Sequence, residues 1–189
     1  RGDRRTPQTL SYELELGRFR LSGVLSRVMD DGLRQFTASK AHGKTLLALG
    51  LDALVWSALG RTESIDRVVC DQERVQLAPW PQSVARQRLE ELLELAALAR
   101  TQAEPFMPKA ALEFMRKDEE SAGLKAAEKA WNGEYGEGGD PWVATALRGA
   151  EPFVDEAATQ RFMELARTVF ARMPGLDVEA ETEAESGDE

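Results

Sequence analysis

The stretch TLLALGLDALVWSALG, residues 45–60, carries a single charge, Asp52, and stops at Gly60. A helix that is apolar almost all round is buried on most of its surface, so the rest of the chain has to cover it. It falls short of the roughly 18 apolar residues that a membrane span requires, and no other run approaches that length. The expectation is therefore a buried central helix and no membrane association.

Strand signals precede this helix. TLSYELEL, residues 9–16, places Leu10, Tyr12, Leu14 and Leu16 on one face, the alternation of a half-buried strand, and Gly17 breaks it. In RFRLSGVLSRVM, Phe19, Leu21 and Gly23 alternate with Arg18, Arg20 and Ser22. Asp30, Asp31 and Gly32 then spell a hairpin turn, and LRQFTA pairs back. Beyond the helix, DRVVCD and RVQLA are short strand candidates, either edge strands or a hairpin. PQSVARQRLEELLELAALAR, residues 81–100, is an amphipathic helix with Ser83 as its N-cap. Its stripe is Leu89, Leu92, Leu93, Ala96 and Leu98 or Ala99, with Arg86, Glu90, Glu91 and Glu94 outside.

The second half is helical and interrupted by loops. AEPFMPK, residues 103–109, sets two prolines around Phe106 and Met107 and reads as an extended apolar plug in the core. Helices are expected at about 109–117, 122–132 and 155–171 from their apolar spacing. Between the last two lies NGEYGEGGDPW, residues 132–142, in which Asp140 and Pro141 suit a helix start with Trp142 just inside it. Glycines at 133, 136, 138 and 139 beside two aromatics make this loop either a surface connection or an interface, with Tyr135, Asp140 and Trp142 as the interface candidates.

With 189 residues, 42% of them hydrophobic, the chain can bury one sizeable core, so a single domain over 9–173 is the expectation, after a flexible segment at 1–8. Arg1 in place of Met suggests a piece of a longer polypeptide or a processed tag. The net charge of −9 is unevenly spread: residues 1–45 hold nine Lys/Arg against five acids, whereas 177–189 hold seven acids and no base. Such an acidic tail, 174–189, should be disordered, as a solvated terminus or a nucleic-acid mimic. Arg18, Arg20 and Arg27, with Lys40, form either a solvated strand face or a track for the DNA backbone. A lone Cys70 cannot form an internal disulfide, which suits the cytoplasm.

Residues 38–45, ASKAHGKT, fit a relaxed phosphate-loop pattern with Ala38 in place of its first glycine. In that reading Lys44 would hold terminal phosphates, Thr45 magnesium, and Asp71 would supply the second carboxylate. Against it, LRQFTA alternates and lies in a hairpin, where a phosphate loop follows a buried parallel strand; Ala38 and Ser39 also lack the glycine that lets amides wrap a phosphate. His42 reads as a surface or capping histidine.

Residues 23–40, GVLSRVMDDGLRQFTASK, resemble the central hairpin of the PD-(D/E)xK nucleases, in which Gly-x-x-Asp, a turn and Asp-x-Lys build a metal site. On that pattern Gly23 matches the glycine and Lys40 the lysine, while Ser26 and Ala38 stand where the two metal carboxylates belong. Magnesium needs carboxylate oxygens, which neither residue supplies, and Asp30 and Asp31 lie at the far end of the hairpin. With LAPWPQSVARQRLEELLEL, EPFMP and WNGEYGEGGDPWVATALRG in order, residues 9–173 resemble the C-terminal domain of the exodeoxyribonuclease V gamma chain, the RecC-type subunit of the RecBCD helicase-nuclease complex. The resemblance implies an α/β (α+β-like) fold with a degenerate nuclease-like core, a small mixed sheet flanked by helices, and a helical second half. It further implies a domain with no catalytic residues, metal or cofactor of its own. Its partners would be the alpha and beta chains, and DNA within the complex, during ATP-dependent unwinding and degradation of DNA ends in recombinational repair. An active metal nuclease and a nucleotide-binding domain remain the alternatives.

Overall fold

The computed structural model of the chain describes residues 6–38, 40, 42–70, 73–170, 173 and 174. The acidic tail beyond Pro174, the first five residues, Ser39 and Asp71 lie outside these. The chain divides into two compact units, Arg1–Glu104 with Arg172–Leu176, and Pro105–Ala171 with Asp177–Glu189.

The first unit runs β1 (Gln8–Leu16), β2 (Phe19–Met29), β3 (Gly32–Thr37), α1 (Gly43–Ala58), β4 (Ile65–Val69), β5 (Val75–Leu77) and α2 (Gln82–Ala99). Its five-stranded sheet keeps the order β1-β2-β3-β4-β5, antiparallel except for the parallel pair β3–β4, which α1 connects. The alternation of β1 delivers Leu14 and Leu16 to the core, where they join Leu25, Leu33, Ile65 and Val69 from the other strands. From α1 come Leu46, Leu49, Ala53, Leu54 and Trp56, so this helix is buried as its composition demands. Gly23 pairs across the ladder with Tyr12, and a Cβ on it would lie 2.6 Å from the phenol oxygen. An aromatic ring covering a strand glycine is how a sheet tolerates one.

A bulge interrupts β2. Gln8 pairs with Val28 and Leu10 with Leu25, so β2 spends one residue more than β1 over the same interval. Arg27 absorbs it at φ +61°, and both Leu25 and Val28 consequently turn inward while Ser26 and Arg27 stay exposed.

Two expectations are corrected. Of the two readings of DRVVCD and RVQLA the hairpin holds, since β4 and β5 pair antiparallel; the edge reading is corrected for β4, an interior strand with Ile65 and Val69 buried, and holds for β5. Ser83 is not the cap of α2, because the helix begins one residue before it, at Gln82; Pro81 occupies the N-cap position and has no side-chain oxygen with which to cap. Of the predicted stripe, Leu89 is buried, Leu92 and Leu93 are half-buried, and Ala96, Leu98 and Ala99 are exposed.

The second unit comprises α3 (Pro108–Met115), α4 (Glu120–Asn132), a 3-10 turn at Glu137–Gly139, α5 (Pro141–Ala146) and α6 (Glu156–Phe170). Its core is aromatic. Phe162 meets Phe114 at 5.8 Å and Phe153 at 4.9 Å between ring centroids, both edge to face, and Phe106 lies 6.0 Å from Phe170. Met107 is fully buried, so the Phe106–Met107 plug is core packing as expected.

Candidate functional site

The basic hairpin separates into neutralised and free cations. Arg18 pairs with Glu94 at 2.5 Å and Arg20 with Glu13 at 2.6 Å, all four at the surface. Arg27 instead lies over the Phe36 ring, 5.5 Å from its centroid, and donates to the Phe36 carbonyl at 3.0 Å. Among the described residues no carboxylate pairs with it. Lys40 is exposed beyond the end of β3. Ser26 and Ala38 are exposed as well, but the β2–β3 register consists of Val28–Leu33 and Met29–Gly32, so the ladder does not set these two face to face.

Beneath α1 lies a polar frame that the sequence did not announce. Gln35 donates to the Leu49 carbonyl at 2.7 Å, and Arg67 donates to Gln35 Oε1 at 2.8 Å and to the same carbonyl at 3.2 Å. Both side chains are buried. Burial pulls the Arg67 guanidinium down to about 10, opposed by the nearby charge of Asp52. Asp52 retains surface exposure, yet the protein around its carboxyl raises its pKa by desolvation, opposed by Arg67. The Tyr12 phenol is raised by burial first and by Asp52 second.

On the outward side of β4, buried Asp66 accepts two bonds of 2.6 Å from Arg74 and lies 2.9 Å from Arg34. The Arg74 hydrogen bond, aided by the charges of Arg74 and Arg34, holds its pKa below the ordinary carboxylate value against the opposing effect of burial. Bidentate guanidinium–carboxylate geometry fixes β5 onto β4 despite its three residues.

At the start of α1, His42 caps as expected: its Nδ1 accepts from the Thr45 amide at 3.5 Å. Lys44 is exposed. β3 does pair in parallel with β4, so the phosphate-loop pattern sits in a strand–loop–helix crossover as well as a hairpin. The Thr45 amide it would use already faces an imidazole.

In the second unit the glycine loop is held rather than loose. A Cβ on Gly136 would come within 2.1 Å of the Trp131 carbonyl oxygen, so only glycine fits there. That tight path delivers buried Glu137 to the start of α3, where Oε2 accepts from the amides of Lys109 at 3.0 Å and Ala110 at 2.9 Å. Lys109 returns a bond of 2.9 Å to the Tyr135 carbonyl. Asp140 caps α5 through the Trp142 amide at 2.9 Å, as its position before proline predicts. Tyr135 and Trp142 are 84% and 83% exposed, so neither belongs to the core.

These features define a mixed α/β unit and a helical unit, each displaying exposed aromatics on a backbone fixed by buried polar bonds. The chain belongs to the RecC C-terminal domain family, whose model matches residues 1–119, the whole first stretch through α3. RecC is a subunit of the RecBCD complex, which acts in DNA repair. The match ends before the glycine loop, and no curated protein sequence matches the chain. Among the described residues, no group of three or more His, Cys, Asp or Glu side chains is placed to share a metal ion, and no helix is long and apolar enough to cross a membrane.

Proposed function

We propose that the chain is a non-catalytic domain of the exodeoxyribonuclease V complex, serving assembly with the alpha and beta chains and the handling of DNA within it. The sequence of the hairpin carries this reading: aligned on the nuclease pattern, Ser26 and Ala38 fall where its carboxylates stand, beside Lys40. An antiparallel meander β1-β2-β3 followed by α1 and the parallel β4 supports a nuclease-like ancestry for the sheet. On that alignment neither a hydroxyl nor a methyl supplies the carboxylate oxygens that would hold a metal beside Lys40. Tyr135 and Trp142 supply the kind of exposed aromatic that anchors protein interfaces.

The test is incubation of the chain with linear and single-stranded DNA in magnesium and in manganese. Intact DNA is the expected result. Metal-dependent cleavage that disappears in Lys40→Ala would overturn the reading.

A further inference from the structure

We propose that Phe36, with Arg27 laid against it, is a stacking platform for a base of single-stranded nucleic acid. This deepens the DNA-handling reading above and rests on it. Phe36 is 56% exposed and Val24 57% exposed, both on the sheet face opposite the buried Leu25 and Gln35. A large aromatic held outward on a strand is poorly used by the fold, since the inward face of β3 is filled by Leu33 and Gln35. The backbone is bent to suit it. Arg27 adopts φ +61°, a conformation that costs an L-residue energy, and it is this bulge that carries the guanidinium over the ring.

Charge selects the occupant. Arg18 and Arg20 are paired with Glu94 and Glu13, whereas Arg27, with no carboxylate partner among the described residues, lies against the exposed Phe36 side chain. That pair suits a nucleotide, with the base stacking on the aromatic and the phosphate meeting the guanidinium. An apolar protein surface would leave the cation desolvated and unpaired. Duplex DNA would hide its bases from the ring and would call for more free cations than this face offers. The unit that carries the platform holds sixteen Lys/Arg against fourteen Asp/Glu, and the helical unit eight against nineteen, so an anion is repelled less here.

Two-dimensional NMR of the labelled chain titrated with a short oligo-dT strand at low salt tests this. Fast-exchange shifts should centre on Val24, Arg27 and Phe36, with a Kd of about 10⁻⁴ M. Phe36→Leu should weaken binding about ten-fold and Phe36→Trp should preserve it. Arg27→Gln should weaken binding and flatten its salt dependence. Shifts elsewhere, no shifts at all, or equal binding by Phe36→Leu would overturn the platform. So would an unperturbed Phe36 that instead broadens when the alpha or beta chain is added, which would assign the face to protein contact. None of these results bears on whether the chain cleaves DNA.

Discussion

Among the described polar and charged residues, Gln35, Ser57, Asp66, Arg67 and Arg88 are buried in the sheet-bearing unit, and Glu137 alone in the helical unit. The sheet unit thus holds its strands and helices with charge and hydrogen bonds, and both units carry a cost: Nε and Nη2 of Arg88, which bonds Glu91 at 2.7 Å, and Oε1 of Glu137 are buried without a partner among the described residues. The helical unit relies on aromatic contacts and, Glu137 apart, buries none of its described acids. The lesson is that the same chain should show two sensitivities, one to pH and polarity, one to side-chain volume.

The largest expected effect tests the volume side. Phe162→Ala removes the ring that meets both Phe114 and Phe153 at a fully buried position and should cost about 3–5 kcal/mol in urea unfolding. A loss below about 1 kcal/mol would mean that the helical unit repacks freely and that the contrast is false.

Asp66→Asn sharpens the polar side and should cost about 1 kcal/mol at neutral pH, because Arg74 is mostly exposed and water screens its share of the pair. Since the folded pKa of Asp66 is depressed, its stabilisation is present above its unfolded value of about 4 and fades as pH falls through the folded pKa. Wild type and variant should therefore converge in stability as pH falls through the folded pKa. A difference independent of pH would remove the charge from the explanation.

The smallest stability effect belongs to Trp142→Ala, expected to change unfolding by less than about 0.5 kcal/mol because the ring is exposed. Binding to the alpha or beta chain, measured by co-purification and calorimetry, should weaken by about ten-fold or more if the loop is an interface. Comparable losses in folding and assembly would instead make Trp142 part of the packing.

Much of the fold was legible because its patterns are local. The alternation of Leu10, Tyr12, Leu14 and Leu16, the Asp-Asp-Gly turn, the apolar run of α1 and the Asp140–Pro141 start each depend on residues within a few positions of one another. The bulge was hidden because a left-handed position normally advertises itself with glycine, and here it is Arg27. The interior place of β4 was not legible from its charged Asp66 and Arg67: their partners Arg74, Arg34, Gln35 and Leu49 are assembled by the sheet and by α1, and only the fold reveals that both are satisfied inside. Glu137 escaped notice for the same reason, its targets being the amides of Lys109 and Ala110, more than twenty residues upstream. Of the candidate site, the aromatic residues and their exposure-prone loop were readable, and the pairing that neutralises Arg18 and Arg20 but spares Arg27 was not.

The clasp formed by Glu137 also has a consequence for the thermodynamics of association. Gly136, pressed on Trp131, Glu137 tied to α3 and the Asp140 cap together leave the segment between Tyr135 and Trp142 with little conformational entropy still to lose. A surface ordered before it meets a partner spends its contact energy on affinity instead of on ordering itself. A glycine-rich sequence, ordinarily the mark of a floppy tether, here serves as a rigid mount.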